Sequence, residues 1–157
     1  MIIGNPYQIA IQVEQVDFLC SPSGMFNFII NDMLIPGKGT TIDLYIVISS
    51  LKESLEAGLI KIHEDIGNVS VEEMDFSEGT PKKLLSLNVA ELYDYGCNFW
   101  LGFDGCEERL IYTLDFEGSF NECRFPRGTL ERLIRTLPLA DTLLMDKTND
   151  VIVTKLN

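Results

Sequence analysis

A chain of 157 residues with 46% apolar content can bury a core without disulfide or metal staples, and its length fits one domain. Its 24 acidic and 12 basic residues leave a formal charge of −12, which opposes binding to nucleic acid or to an anionic membrane through any broad basic surface. A basic protein partner is the natural complement, although a merely soluble surface carries similar charge.

The opening stretch, MIIGNPYQIAIQVEQVD, has no basic region, and Gln8, Gln12 and Glu14 interrupt its apolar residues. It is expected to be neither a signal peptide nor a membrane span. The nearest apolar run elsewhere, Ile42 to Ile48, is broken by Asp43 and falls far short of the ~20 residues a span needs. A cytoplasmic location follows. Tyr7, Ile9, Ile11 and Val13 alternate with Gln8, Ala10, Gln12 and Glu14, a period of two that predicts a half-buried strand of an antiparallel sheet. After a turn at Ser21-Pro22-Ser23-Gly24, Phe26, Phe28 and Ile30 share the face of a second strand. Asn31-Asp32 then turns the chain into Met33-Leu34-Ile35, which Pro36-Gly37 ends. These pieces make a meander.

Thr40, with Asp43 three residues later, resembles a capping box. It predicts a helix with Leu44, Val47, Ile48, Leu51 and Leu55 inward and Gly58 as the residue past its end. Leu59 to His63 reads either as a short strand or as the start of an excursion. Gly67 to Gly79 turns acidic and loses periodicity. Thr80-Pro81 is a helix start, threonine capping and proline at the first position, and predicts a second helix burying Leu84, Leu85, Leu87, Val89 and Leu92 as far as Tyr95.

Cys97 to Gly118 is the stretch around which the rest of the chain is organised. Phe99, Leu101 and Phe103 alternate with Asn98, Trp100 and Gly102, and Leu110, Tyr112, Leu114 and Phe116 alternate with Ile111, Thr113 and Asp115. Asp104-Gly105 between them tolerates positive φ, so a hairpin is predicted whose tip, with Glu107 and Glu108, is solvated and strongly negative. A further strand over Phe120 to Phe125 and an amphipathic helix from Gly128-Thr129, stopped by Pro138, follow. Arg124, Arg127, Arg132 and Arg135 gather there, and in so acidic a chain they read as an ion-pairing surface within the molecule. Val151 to Val153 reads as a last short strand. The expected architecture is α+β: one domain over residues 1–157, with an antiparallel sheet of meander and central hairpin packed against two or three α-helices.

Chemistry is hard to place on this pattern. The carboxylate groups Glu72, Glu73, Asp75, Glu78 and Asp104, Glu107, Glu108 fall in segments predicted to be solvated, whereas acid–base catalysis needs a carboxyl held in a dry pocket. His63 is the only histidine and no nucleophile elbow accompanies any serine. The four cysteines, Cys20, Cys97, Cys106 and Cys123, have neither a CxxC pair nor the spacing of a zinc site and are expected to be reduced. No glycine pattern cradles a phosphate. No cofactor or metal is expected.

At MIIGNPYQIAIQVEQVD, FNFIINDMLIPGKGTTIDLYIVISSL and FWLGFDGCEERLIYT the chain resembles immunity protein family 42, antitoxins of bacterial polymorphic and contact-dependent growth-inhibition toxins. The likeness lies in the glycine-proline opening, an FxF strand before an asparagine turn, and the WLGFDG hairpin. It implies a cytoplasmic binding protein without turnover, whose partner is the C-terminal domain of a toxin, usually a nuclease or other intracellular poison. Charge and predicted exposure then nominate Glu72, Glu73, Asp75, Glu78, Asp104, Glu107 and Glu108 as toxin contacts. A small carboxylate-dependent hydrolase and a self-associating structural or regulatory domain are the competing readings.

Overall fold

Alternating apolar residues build two antiparallel sheets that close on one core. The computed structural model describes residues 1–16, 21–37, 39, 41–140, 143–148 and 151–156, the last two segments by their backbone. The first sheet runs β1 (Ile2–Asn5), β2 (Ile9–Gln15), β3 (Ser23–Ile30), β4 (Met33–Ile35), and β5 (Ile42–Asp43) pairs with the far end of β3. Pairing of Ile30 with Met33 leaves Asn31 and Asp32 as a two-residue turn, at φ 49° and 64°, the left-handed pair that matches strand twist. The expected meander is present. Its first strand starts at Ile9 rather than Tyr7, and β1 is an additional edge strand on β2.

The second sheet runs β6 (Leu85–Leu87), β7 (Asn98–Asp104), β8 (Glu107–Thr113), β9 (Asn121–Pro126). Asp104 pairs with Glu107, so Gly105 and Cys106 make the tip, with Gly105 at φ 60°. Two further strands, β10 (Leu143–Thr148) and β11 (Val151–Leu156), pair with each other. Ile9, Ile11, Val13, Phe26, Phe28 and Ile30 of the first sheet meet Phe99, Leu101, Phe103, Leu110 and Tyr112 of the second. The rings of Phe28 and Phe99 lie 4.4 Å apart between centroids. Helix α1 (Leu44–Lys61) inserts Leu44, Val47, Ile48, Leu51 and Leu55 into this core, and α2 (Thr129–Thr136) adds Leu130, Leu133 and Ile134. The architecture is α+β, as the sequence pattern implies.

The ends of α1 differ from expectation. Asp43, not Thr40, caps it: the Asp43 carboxylate accepts the Ile46 N–H at 3.0 Å, and Thr40 lies outside the described residues. Gly58 does not stop the helix, which continues through Leu59 and Ile60 to Lys61. The glycine serves packing instead. A Cβ there would sit 2.1 Å from Cγ of Leu85, so glycine lets α1 press against β6.

The second expected helix is absent. Residues 85–87 form β6, paired with β7 through Leu85–Leu101 and Leu87–Phe99, and a 3₁₀ turn over Ala90–Tyr95 follows, ended by Gly96 at φ 86°. Adjacent leucines explain the outcome. Leu85 enters the main core while Leu84 enters a separate cluster on the opposite face of the sheet, with Trp100 and Ile111. Two neighbours pointing to opposite faces is strand geometry, and it wins because each side has a core to fill. Among the described residues no helix is long and apolar enough to cross a membrane.

Candidate protein-binding surface

The acidic excursion after α1 is pinned to the outer face of the second sheet. Val71, Met74 and Phe76, interleaved with its acids, pack on the cluster of Leu84, Trp100 and Ile111. Phe76 meets Trp100 edge-on at 4.8 Å and stacks on Phe120 at 4.2 Å. Gly102 permits the approach, since a Cβ there would lie 2.6 Å from Cδ2 of Leu84. The apolar members being turned inward, Glu72, Glu73, Asp75 and Glu78 all stand exposed. The Ser70 hydroxyl holds the Glu72 carboxyl below its usual range, and the Ser77 hydroxyl, then the Ser77 N–H, does the same for Asp75. The expectation of an exposed acidic segment holds. The segment that loses periodicity in the sequence nevertheless has a short 3₁₀ turn, Val71–Glu73, and three apolar anchors that give it a fixed course.

An open cleft of about 510 Å³ runs beside this segment, lined by Ile66, Met74, Glu73, Asp75, Lys82 and Lys83 among others. Glu73, Asp75 and Glu78 line it against Lys82 and Lys83, and nothing in it forms a nucleophile–base pair. His63 is exposed at the end of α1. Among the described residues no group of three His, Cys, Asp or Glu side chains is placed to hold a metal.

The hairpin tip is not the free acidic knob the sequence suggests. Asp104 and Glu107 both pair with the Arg124 guanidinium, at 2.9 and 3.2 Å. Arg127 reaches back to Asp65 at 3.1 Å and lies over the ring of Phe103, 4.3 Å from its centroid. The expectation that Glu108 is solvated fails outright: its exposure is 0%. Its carboxylate accepts the N–H of Gly128 at 2.8 Å and of Leu130 at 2.5 Å, capping α2, which has no capping side chain of its own. Burial pushes its carboxyl above the usual range, and these two N–H bonds pull against that shift. Strand period already contained this result. Glu108 shares a strand face with Leu110 and Tyr112, the two residues that mark the core side.

Arg109, one residue on, points to the other face and was not anticipated as an organiser. It is 1% exposed, makes a two-pronged pair with Glu122 at 2.6 and 3.0 Å, and donates to the Gly67 carbonyl at 2.7 Å. Glu122 also meets Arg124, whose guanidinium donates to Asn68 at 2.6 Å, so one network ties β8 and β9 to the start of the acidic segment. The signal in the sequence was an arginine inside an apolar strand, which is rare unless the charge is paired. Arg135 pairs with Glu56 and Glu131, so Arg124, Arg127 and Arg135 form ion pairs within the molecule, as expected. Arg132 donates to the Gly128 carbonyl at 3.2 Å. Cys97 is buried in the core, Cys106 is exposed at the tip and Cys123 is half-buried; Cys20 lies outside the described residues.

The family model described as immunity protein 42 matches residues 1–139. No curated protein matches. Among solved structures the fold is similar to that in "Crystal structure of CdiI from Burkholderia dolosa AUO158", with a TM-score of 0.60 and 16% identity over 86% of this chain and 96% of that one. At that identity the likeness is one of fold.

Proposed function

This chain belongs to the immunity protein 42 family, and from that premise we propose that it is a cytoplasmic antitoxin that binds the C-terminal domain of a cognate toxin in a contact-dependent growth-inhibition or polymorphic toxin system. It neutralises by covering a functional surface of the toxin, without turnover, metal or cofactor. The toxin is a basic one of nuclease type, and nucleic acid is the toxin's ligand rather than this chain's. The observation that carries the reading is the pinned acidic segment. Four exposed carboxylates, Glu72, Glu73, Asp75 and Glu78, are displayed on a backbone anchored by Val71, Met74 and Phe76, so their field is held toward an approaching cation. Asp104 and Glu107 contribute less, since both are already paired with Arg124, and the Glu108 carboxylate is out of reach.

The test uses the C-terminal domain of the protein encoded immediately upstream of this gene. Co-expression should rescue cells from that domain, and association should slow about tenfold at low salt when Glu72, Glu73, Asp75 and Glu78 become amides, with the difference shrinking at high salt. Absence of binding and of rescue by the wild-type chain would sink the proposal. So would disappearance of toxicity through turnover of a small substrate by the pure chain.

A further inference from the structure

Residues 31–37, 90–98 and 114–119 meet at the end of the second sheet remote from the tip of the β7–β8 hairpin. Met33 and Leu34 on the edge strand β4 are 49% and 47% exposed, Tyr93 is 52% and Phe116 is 61% exposed. Tyr93 and Phe116 meet edge-on at 6.2 Å, and a groove of about 240 Å³ lined by Leu34, Pro36, Tyr95 and Leu114 runs alongside. Single exposed apolar side chains are ordinary, but contiguous ones around a groove mark an interaction site.

The loop that carries Phe116 is built to hold the ring out. Thr113 donates to Asp115 at 2.8 Å and accepts the Glu117 N–H at 2.9 Å, while Asp115 accepts both the N–H and the hydroxyl of Ser119 at 2.9 and 2.7 Å. The Phe116 N–H donates to the Gly96 carbonyl at 3.2 Å. Phe116 and Glu117 sit at φ 56° and 65°, a left-handed conformation uncommon for bulky residues and tolerated only where surroundings impose it. A rigidly displayed aromatic loses little freedom on binding, which is the property of a binding hot spot.

Charge selects the occupant. Of the acids in these three segments Asp32, Asp94, Asp115 and Glu117 are exposed, Glu91 is half-buried and accepts the Asp43 N–H, and there is no lysine or arginine. A second copy of this chain would set one acidic rim against another, whereas a cationic face with an apolar centre complements both parts. The acidic segment proposed above borders the patch, since Phe76 stacks on Phe120 directly after the loop. We propose that the toxin domain seats its apolar centre on Phe116, Tyr93 and the Leu34–Leu114 groove, with toxin lysines or arginines against Asp32, Asp94, Asp115 and Glu117. This inference rests on the antitoxin reading: the segment from Glu72 to Glu78 guides encounter, and this patch holds the complex.

The experiment measures binding kinetics of the upstream-encoded toxin domain to the full chain and to Phe116→Asn, Tyr93→Ser and Leu34→Ser. Asparagine tolerates the left-handed backbone, so Phe116→Asn removes the ring and keeps the loop. Each variant should keep its melting temperature, and Phe116→Asn should raise Kd by about 30-fold or more through faster dissociation. Phe116→Asn, Tyr93→Ser and Leu34→Ser all binding within about threefold of wild type would overturn the assignment and leave the antitoxin reading standing. Failure of the wild type itself to bind would remove both. A dimer of the wild type in sedimentation, dispersed by Leu34→Ser, would assign the patch to a second copy and also overturn it.

Discussion

The two ends of the β7–β8 hairpin use their carboxylates in opposite ways. At the tip, Asp104 and Glu107 share Arg124, Asp65 takes Arg127, and Glu108 is buried as the cap of α2. At the other end Asp115 is satisfied by hydroxyl and N–H donors, and among the described residues Asp32, Asp94, Asp115 and Glu117 form no ion pair. The tip is acidic by composition and structural by wiring. The loop end keeps its charge for the outside. A formal charge of −12 therefore says little about which acids can meet a partner; the positions of arginines in the fold decide that.

The largest expected effect that would test this division is at Arg109. Replacing it with methionine strands the Gly67 carbonyl and removes the buried partner of Glu122, so urea denaturation should show a loss of ~3 kcal/mol, the lower end for a broken buried pair because Glu122 keeps Arg124. Toxin dissociation at saturating folded protein should be unchanged; a stable variant would show that the tip network is ornamental. Glu108 comes next. Glu108→Ala leaves the N–H groups of Gly128 and Leu130 without their acceptor and should cost about 1–3 kcal/mol. The same group has a pH signature of defined sign. Its folded value is raised above the usual 4.5, chiefly by burial, so between 4.5 and the raised value the folded state holds more proton than the unfolded one and stability falls as pH rises. Glu108→Gln should lack that falling limb, so the difference between the wild-type and variant stability curves should contain it.

Local period made much of this fold legible. The alternation in Ile9 to Val13, in Phe99 to Phe103 and around Leu110 and Tyr112 describes the observed core faces, and α2 lies where its capping and stop residues suggest. What stayed hidden depends on contacts between distant segments. Gly58 looks like a helix stop until Leu85 is seen against it, and Thr80-Pro81 looks like a helix start until Leu84 and Leu85 are seen feeding two separate clusters. In the candidate surface, exposure of Glu72, Glu73, Asp75 and Glu78 was readable from composition. Their anchoring was not, because Val71, Met74 and Phe76 follow no regular period and need Trp100 to give them a reason. Phe116 was read as a continuation of the core face of β8. The strand stops at Thr113, since Asp115 draws Thr113 and Ser119 into a closed loop, and the alternation has no meaning past that point.

That loop yields the smallest and most local expectation. The carboxyl of Asp115 is held below its usual 3.8, first by the Ser119 hydroxyl, then by the Ser119 N–H, then by the Thr113 hydroxyl. A folded value below the unfolded one means that these bonds contribute fully above the unfolded value and fade as pH falls through the lowered folded value. Titration below about pH 4 should therefore loosen the loop while the two sheets stay joined, because the apolar core they share does not titrate, whatever the ion pairs at the tip lose in acid. Ring resonances of Phe116 and Tyr93 report on it directly, being in contact at 6.2 Å. They should shift toward mobile-ring values in acid while those of Phe28 and Phe99 stay fixed, and Asp115→Asn should show some loosening already at neutral pH. The global denaturation midpoint of that variant should match the wild type. Toxin dissociation, in contrast, should quicken in step with the ring shifts, since a ring that must be re-ordered on binding gives up part of its contribution. If the rings move with acid and dissociation does not, the loop is ordered for the fold alone, and the contrast between the two ends of the hairpin ceases to be a contrast of function.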